Sequence, residues 1–539
     1  MALLTDKKTA QAVYYNGLDN KRSVFAAGAI AGMVFTGSMW LSLALGLVHR
    51  TLANLIADGI AGLVPASFTE GVIQAIGPLG KELVFYGVLL GQVWFGGLLG
   101  LLLVWLWPCL ENPLTLFRNT FLLVAGFWLL FMIGVLPLLD AGFLGNTLGN
   151  DQFPILASSF VLFLLYGLAF GFLFLYLVPV AVGSDLTLKE RKETPIEEQT
   201  SRRRFIAFVS TIFIAAVGVG IGTNLFKPAD SLYRTSLGDL RPDGTLEGEV
   251  TPTEKFYQVS KNAFNPKVNG SGWKLEVKGL VKNPLTFDYA RIKQLPNELR
   301  YHTLTCISNP VGGGYIGNAQ WRGTPLKGIL EEAEVKAGVQ KVVFTCADGY
   351  TDSIALKVAL DPRTLLVYEM NNQPLTDDHG YPVRMLIPDI YGMKNAKWVT
   401  SITLVDTEFE GFWQKQGWDN LAQIKTQSAL TFPADGDQLK AGQVVTLKGI
   451  AFAGARGLKK VEVSSDNGET WREAIVKPAL SDTSWALWRL EWNVPPGGNK
   501  TYILKVRATD GTGLLQDMQV NSPFPKGATG YHTVSISAS

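Results

Sequence analysis

Five apolar runs before residue 227 limit what this chain can fold into. Residues 24–48, 83–107, 120–139, 155–182 and 205–226 each approach or exceed the ~20 apolar residues that cross a hydrocarbon core of ~30 Å. The expected N-terminal architecture is therefore an α-helical transmembrane bundle of about five spans over residues 1–226. Gly96, Gly97, Pro137 and Pro179 fall inside these runs, where membrane helices tolerate them. Gly28, Ala31 and Gly32 would let a second helix approach closely. The stretch 52–80 is interrupted by Asp58, Pro65, Glu70 and Pro78, which fits an interfacial or re-entrant segment better than a sixth span.

Charge orients the bundle. Lys7, Lys8, Lys21 and Arg22 precede the first run, Arg118 lies between the second and third, and Lys189, Arg191, Lys192 and Arg202–Arg204 lie between the fourth and fifth. The positive-inside rule puts these loops in the cytoplasm and everything after residue 226 on the exported, periplasmic or extracytoplasmic face of a prokaryotic cytoplasmic membrane. The lipid bilayer is thus one expected partner. The net charge of +2 argues against a nucleic-acid surface. His49 is the one histidine before residue 227, and no C-x-x-C-H sequence occurs, so no haem is expected in the chain.

Chemistry enters with Cys306, in Thr303-Leu304-Thr305-Cys306-Ile307-Ser308-Asn309-Pro310. The other cysteines are Cys109 and Cys346, so neither a four-thiolate site nor a disulfide framework is available. A lone thiolate suits a metal that brings its other ligands with it, as molybdenum does on a pterin dithiolene; a buried core thiol is the alternative. Downstream come Gly312-Gly313-Gly314, Asn318-Ala319-Gln320-Trp321-Arg322-Gly323, then Tyr368-Glu369-Met370-Asn371-Asn372. His379-Gly380-Tyr381-Pro382-Val383-Arg384 and Gly392-Met393-Lys394-Asn395-Ala396-Lys397-Trp398 follow. Arg384, Lys394 and Lys397 could serve as fixed cations for an anionic group, with His379 as a further donor, although for each basic residue alone a solvated surface charge is the commoner state.

These blocks, in this order, resemble the sulfite-oxidase family of molybdopterin-dependent oxidoreductases, from about residue 254 onward. The resemblance implies an α+β molybdopterin domain over 249–427, with Cys306 as the molybdenum ligand. Asn262, Asn309, His379, Arg384, Lys394 and Lys397 are then expected around the cofactor, molybdenum-molybdopterin. It also implies oxygen-atom transfer on a small substrate, sulfur compounds among the candidates, with electrons exchanged with a separate redox partner. Where the family has Arg-Asn-His, this chain has Lys261-Asn262-Ala263, and Trp418 aligns with the family's active-site tyrosine, so Lys261 and Trp418 are the expected catalytic positions. Pro310 and Val311 follow Asn309 where sulfite oxidases carry arginines, so sulfite is not the favoured substrate. The alternative function is a structural or assembly subunit of a membrane redox complex that keeps the fold without turnover.

Ser201-Arg202-Arg203-Arg204-Phe205 looks like an internal twin-arginine export signal before the final anchor helix, as a domain folded around a cytoplasmic cofactor would need; a plain stop-transfer charge cluster is the alternative. A linker spans 227–248. Past residue 428 the β-rich runs 444–449, 460–466, 485–492 and 502–510 alternate with Asn467-Gly468, Pro495-Pro496-Gly497-Gly498 and Gly511-Thr512-Gly513. They suggest an all-β immunoglobulin-like sandwich over 428–539. The resemblance makes this the dimerisation-type domain, giving a homodimer, unless the bundle joins a hetero-oligomer.

Overall fold

A computed structural model describes residues 12–16, 20–44, 51–63, 79–110, 112–139, 141–145, 152–178, 180–183, 248–262 and 265–539. The fifth apolar run, the arginine cluster at 202–204 and nearly all of the 227–248 linker lie outside the described residues. The chain divides into two compact units, one helical and one β-rich.

The helical unit contains α1 (Lys21–Ala44), α2 (Leu52–Leu63), α3 (Leu79–Leu106), α4 (Pro113–Leu130) and α5 (Gln152–Leu177), with short strands β1 (Ala12–Asn16), β2 (Cys109–Leu110) and β3 (Val180–Gly183). Among the described residues, four helices are long and apolar enough to cross a membrane: Lys21–Ser42, Tyr86–Leu106, Pro113–Leu138 and Gln152–Leu177. They correspond to the first four runs. α4 starts where Asn112 accepts the Thr115 N–H at 2.9 Å with Pro113 in the first helical position. It passes through a π turn, Phe131–Val135, just before Pro137, whose ring and missing N–H an ordinary helical turn would not accommodate. The small residues do what their size suggests: a Cβ on Gly28 would stand 2.3 Å from the Gly96 carbonyl oxygen, so α1 and α3 touch backbone to backbone. Tyr166 of α5 donates to that same carbonyl at 2.6 Å.

In the β-rich unit, β4 (Lys274–Gly279), β5 (Leu285–Asp288), β6 (Glu298–Thr305), β7 (Ile316–Pro325), β8 (Lys341–Cys346), β9 (Thr351–Ala355), β10 (Leu365–Met370), β11 (Gln373–Pro374), β12 (Arg384–Leu386) and β13 (Val399–Val405) make two sheets. One runs β11-β10-β7-β6 with β12 also on β10; the other runs β5-β4-β13-β8-β9. Three short helices join them: α6 (Tyr289–Gln294), α7 (Leu326–Ala333) and α8 (Leu356–Ala359). In α7 the buried residues Leu326, Ile329, Leu330 and Ala333 recur at helical spacing, which lays one face on the core.

Two further sheets follow. β14 (Gln427–Phe432), β16 (Val444–Phe452), β20 (Ala486–Asn493) and β19 (Ile475–Val476) form one. The other has β15 (Gln438–Leu439), β22 (His532–Ala538), β21 (Lys500–Asp510), β17 (Leu458–Ser464) and β18 (Arg472–Glu473), in that order. Period-two alternation gives the first of these two faces. Ala429, Ile450 and Leu487 pack into the core of the preceding sheets, while Leu430, Leu447 and Trp488 share a core with Val461, Leu504 and Ile536 of the other sheet. The largest core thus runs continuously across residues 427–428, where the sequence suggested a domain boundary.

Candidate functional site

The site grows from the end of β6. Cys306 leaves the strand with its N–H on the Tyr315 carbonyl (2.9 Å), and the Asn309 N–H donates to the Cys306 carbonyl (3.1 Å), closing a turn. Asn309 Oδ1 accepts the Tyr315 N–H at 2.9 Å and locks the loop. Gly312 lies at φ +72°, and a Cβ there would meet the His532 ring at 2.1 Å, so glycine is required on both counts. The Cys306 thiol is buried and unbridged, 3.0 Å from the Ser308 hydroxyl.

A second group of residues comes from the loops around β12. Gly380, at φ +103°, turns the chain tightly enough that a Cβ would lie 3.0 Å from Lys397 Cβ and 3.1 Å from Arg384 Cβ. His379, Arg384 and Lys397 are thereby brought together. His379 Nε2 is 3.0 Å from the Thr253 carbonyl, and Lys397 Nζ donates to the Asp378 carbonyl at 3.0 Å. Burial pushes the His379 imidazole down to about 4, so it is neutral at pH 7. Arg384 is buried, donates to the carbonyls of His379 (3.3 Å) and Asn395 (3.2 Å), and has an Nε without a partner. Burial lowers its guanidinium to about 10. No carboxylate pairs with it among the described residues.

Tyr257 links the two groups. Burial raises its phenol first, the Cys306 charge raises it further and Arg384 opposes them, so the ring lies within the electrostatic reach of both. Its hydroxyl sits against Gly392, 2.7 Å from where a Cβ would be.

The remaining expected residues fall as follows. Lys261 is buried with Nζ 5.5 Å from the Phe412 ring centroid. Asn262 follows it, half-buried. Trp418 is buried and packs edge-on against Phe524 at 5.2 Å. Lys394 is buried, with its ammonium in an ion pair with Asp352 at 2.7 Å. Sequence reasoning missed Tyr257, Cys346 and His302. Cys346 ends β8 in the field of Lys261, Lys397 and Asp348, with burial raising its thiol well above the usual range. His302, on β6, is buried with neither ring nitrogen partnered among the described residues. Cys346 could have been weighed as the second buried thiol; Tyr257 and His302 belong to no spacing pattern.

Two family models match this region. Residues 262–413 match an oxidoreductase molybdopterin binding domain, and 419–536 match a Mo-co oxidoreductase dimerisation domain. Sulfite oxidase of Arabidopsis thaliana is 30% identical over 274 residues, covering 42% of this chain and 70% of that protein. The chain belongs to the sulfite-oxidase family. Other members include the mitochondrial sulfite oxidases of Drosophila melanogaster, 32% identical over 46% of this chain and 51% of that one, and of Homo sapiens, 32% identical over 51% and 59%. This member of the family spans about half the length of the Drosophila protein. The solved sulfane dehydrogenase SoxCD of Paracoccus pantotrophus is a distant likeness, with 20% identity and a TM-score of 0.47 over 56% of this chain and 84% of that one. In this sulfite-oxidase-family chain the residues fit a molybdopterin: a buried thiol, and an arginine with no carboxylate partner among the described residues and an unsatisfied Nε.

Proposed function

We propose that the β-rich unit holds a molybdenum-molybdopterin cofactor and that the chain is a membrane-anchored oxidoreductase acting on a small substrate. The observation that carries this reading is Arg384, a buried cation that donates to two carbonyls and has no carboxylate partner among the described residues. Such a charge is costly to keep out of water, and a phosphate beside it removes that cost. His379, Arg384 and Lys397 would then hold the phosphate end, Asn309 would bond the pterin, and Cys306 would give its thiolate to the metal. When bound, the group supplies two-electron oxygen-atom transfer.

The chain's own residues orient and select. Lys261 contributes one buried cation on the substrate side, and Trp418 with Phe524 closes it with apolar surface. Pro310 and Val311 add no charge beside Asn309, so a substrate less charged than sulfite fits better. The four described long helices, with 205–226 as the final anchor after a twin-arginine-like signal, tether the unit to the exported face of a prokaryotic membrane. The 428–539 region, read as an immunoglobulin-like sandwich, pairs two copies. Electrons pass to or from a separate redox partner.

Metal and pterin analysis of the detergent-purified full chain tests this. About one molybdenum and one pterin per chain are expected, with the metal reduced on addition of substrate. A chain that never acquires molybdenum when expressed with an intact cofactor pathway is a structural or assembly subunit instead.

A further inference from the structure

Lys394 and Asp352 are the most deeply buried opposite charges in the β-rich unit, with side chains 2% and 0% exposed. Around them runs a set of bonds with one destination. Lys394 Nζ also donates to the Ser353 carbonyl at 2.8 Å and lies 3.5 Å from Asn420 Oδ1. The second Asp352 oxygen accepts from the Tyr350 hydroxyl at 2.9 Å and from Gln414 Nε2 at 3.3 Å. Gln414 and Asn420 both belong to the segment 409–420, whose only regular structure is the short turn Gln414–Gln416.

The same segment is fixed to β9 along its backbone. The Phe412 N–H donates to the Thr351 carbonyl at 2.9 Å, and the Ser353 hydroxyl donates to the Phe409 carbonyl at 3.0 Å. Gly411 comes so near that a Cβ would lie 2.5 Å from the Thr351 carbonyl oxygen. The segment carries Phe412, which faces Lys261, and Trp418, which packs on Phe524.

We infer that the Lys394–Asp352 pair is a positioning device, which holds the 409–420 segment, and with it Phe412 and Trp418, in one arrangement against β9. A buried ion pair adds little net stability over apolar packing, but with either partner removed the other is left as a lone buried charge. The pair therefore fixes the geometry of this segment. This rests on the reading above that Lys261 and Trp418 lie on the substrate side.

The test uses full-length protein in detergent and follows two readouts: molybdenum per chain, and the rate of tryptic cleavage after Lys415, an exposed residue of the segment. Lys394→Met and Asp352→Asn should each cleave roughly tenfold faster than wild type, because proteolysis reports the opened population, with molybdenum content unchanged. Lys394→Arg, which can still pair, should restore protection, and the double variant should cleave no faster than either single one. Should Lys394→Met fail to fold, Gln414→Leu cuts only the link to the segment and should open it with the pair intact. Loss of molybdenum in Lys394→Met with unchanged cleavage would return Lys394 to the phosphate and overturn the proposal, as would wild-type cleavage in both single variants. A wild-type chain without molybdenum would defeat the cofactor reading alone, since the cleavage arm still reports on the fastening.

Discussion

The Arg384 guanidinium lies 5.3 Å from the Trp321 ring centroid, and the Trp321 indole N–H in turn donates to the His302 carbonyl at 3.1 Å. The ring face gives the cation part of the stabilisation that a carboxylate would otherwise supply.

Arg384→Met should therefore have opposite effects on the empty and loaded protein. Without cofactor, removing a buried unpaired charge leaves stability unchanged or raises it, by about 1–4 kcal/mol by analogy with buried ion pairs. With cofactor, each charge-assisted bond lost costs about 1.5–3 kcal/mol of binding. Thermal unfolding of both forms, with pterin quantified after gel filtration, checks the two signs together. A fall in stability of the empty protein would mean that the arginine is satisfied without a ligand.

Cys306→Ser separates the metal from the pterin. The thiolate is the ligand form of cysteine, and a serine hydroxyl is hard to deprotonate. The fold and pterin content should be retained, because the turn at residues 306–309 is built from backbone bonds and Asn309. Turnover should be lost. A variant with wild-type activity would remove Cys306 from the centre.

Much of this was legible in the chain because the signals are local. The first four apolar runs are α1, α3, α4 with its extension, and α5. The β-rich runs 444–449, 460–466, 485–492 and 502–510 fall on β16, β17, β20 and β21. Asn467 and Gly468 both adopt positive φ between β17 and the strands that follow, as their residue types suggest. Sheet order was not legible, because β13 pairs in parallel with β4 and antiparallel with β8 through contacts far apart in sequence. Lys394 shows the limit best. It sits in a motif block with Lys397, and its ion-pair partner, Asp352, lies forty-two residues earlier, where no local pattern links the two.

Gly28→Val should disrupt the helical unit. Its side chain would enter space already held by the Gly96 carbonyl, and the displaced backbone would also disturb the Tyr166 hydroxyl bond to that oxygen. Overpacking of this kind typically costs 1–3 kcal/mol, and a backbone neighbour cannot rotate away as a side chain can. Denaturation of the purified chain in mixed detergent should show a lower midpoint for the variant. Gly37→Val, where a Cβ meets nothing within 4 Å, is the matched control and should behave as wild type.

His302 gives the β-rich unit an acid-sensitive point. Burial, then the fields of Arg300, Arg384 and Arg363, push its imidazole down to about 3 from an unfolded value of 6.5. Below pH 6.5 the unfolded chain takes up a proton that the folded chain refuses, so folded stability is full above that pH and falls as pH drops toward about 3. The slope from this one residue approaches about 1.4 kcal/mol per pH unit. His379 and His532 are depressed too and add to the same trend, so the informative quantity is a difference between proteins. Denaturant titrations of the full chain between pH 6.5 and 4.5, above the range where most carboxylates protonate, should show a shallower loss for His302→Leu than for wild type. Parallel curves would show that this imidazole is protonated in the folded state, with a counter-charge close by.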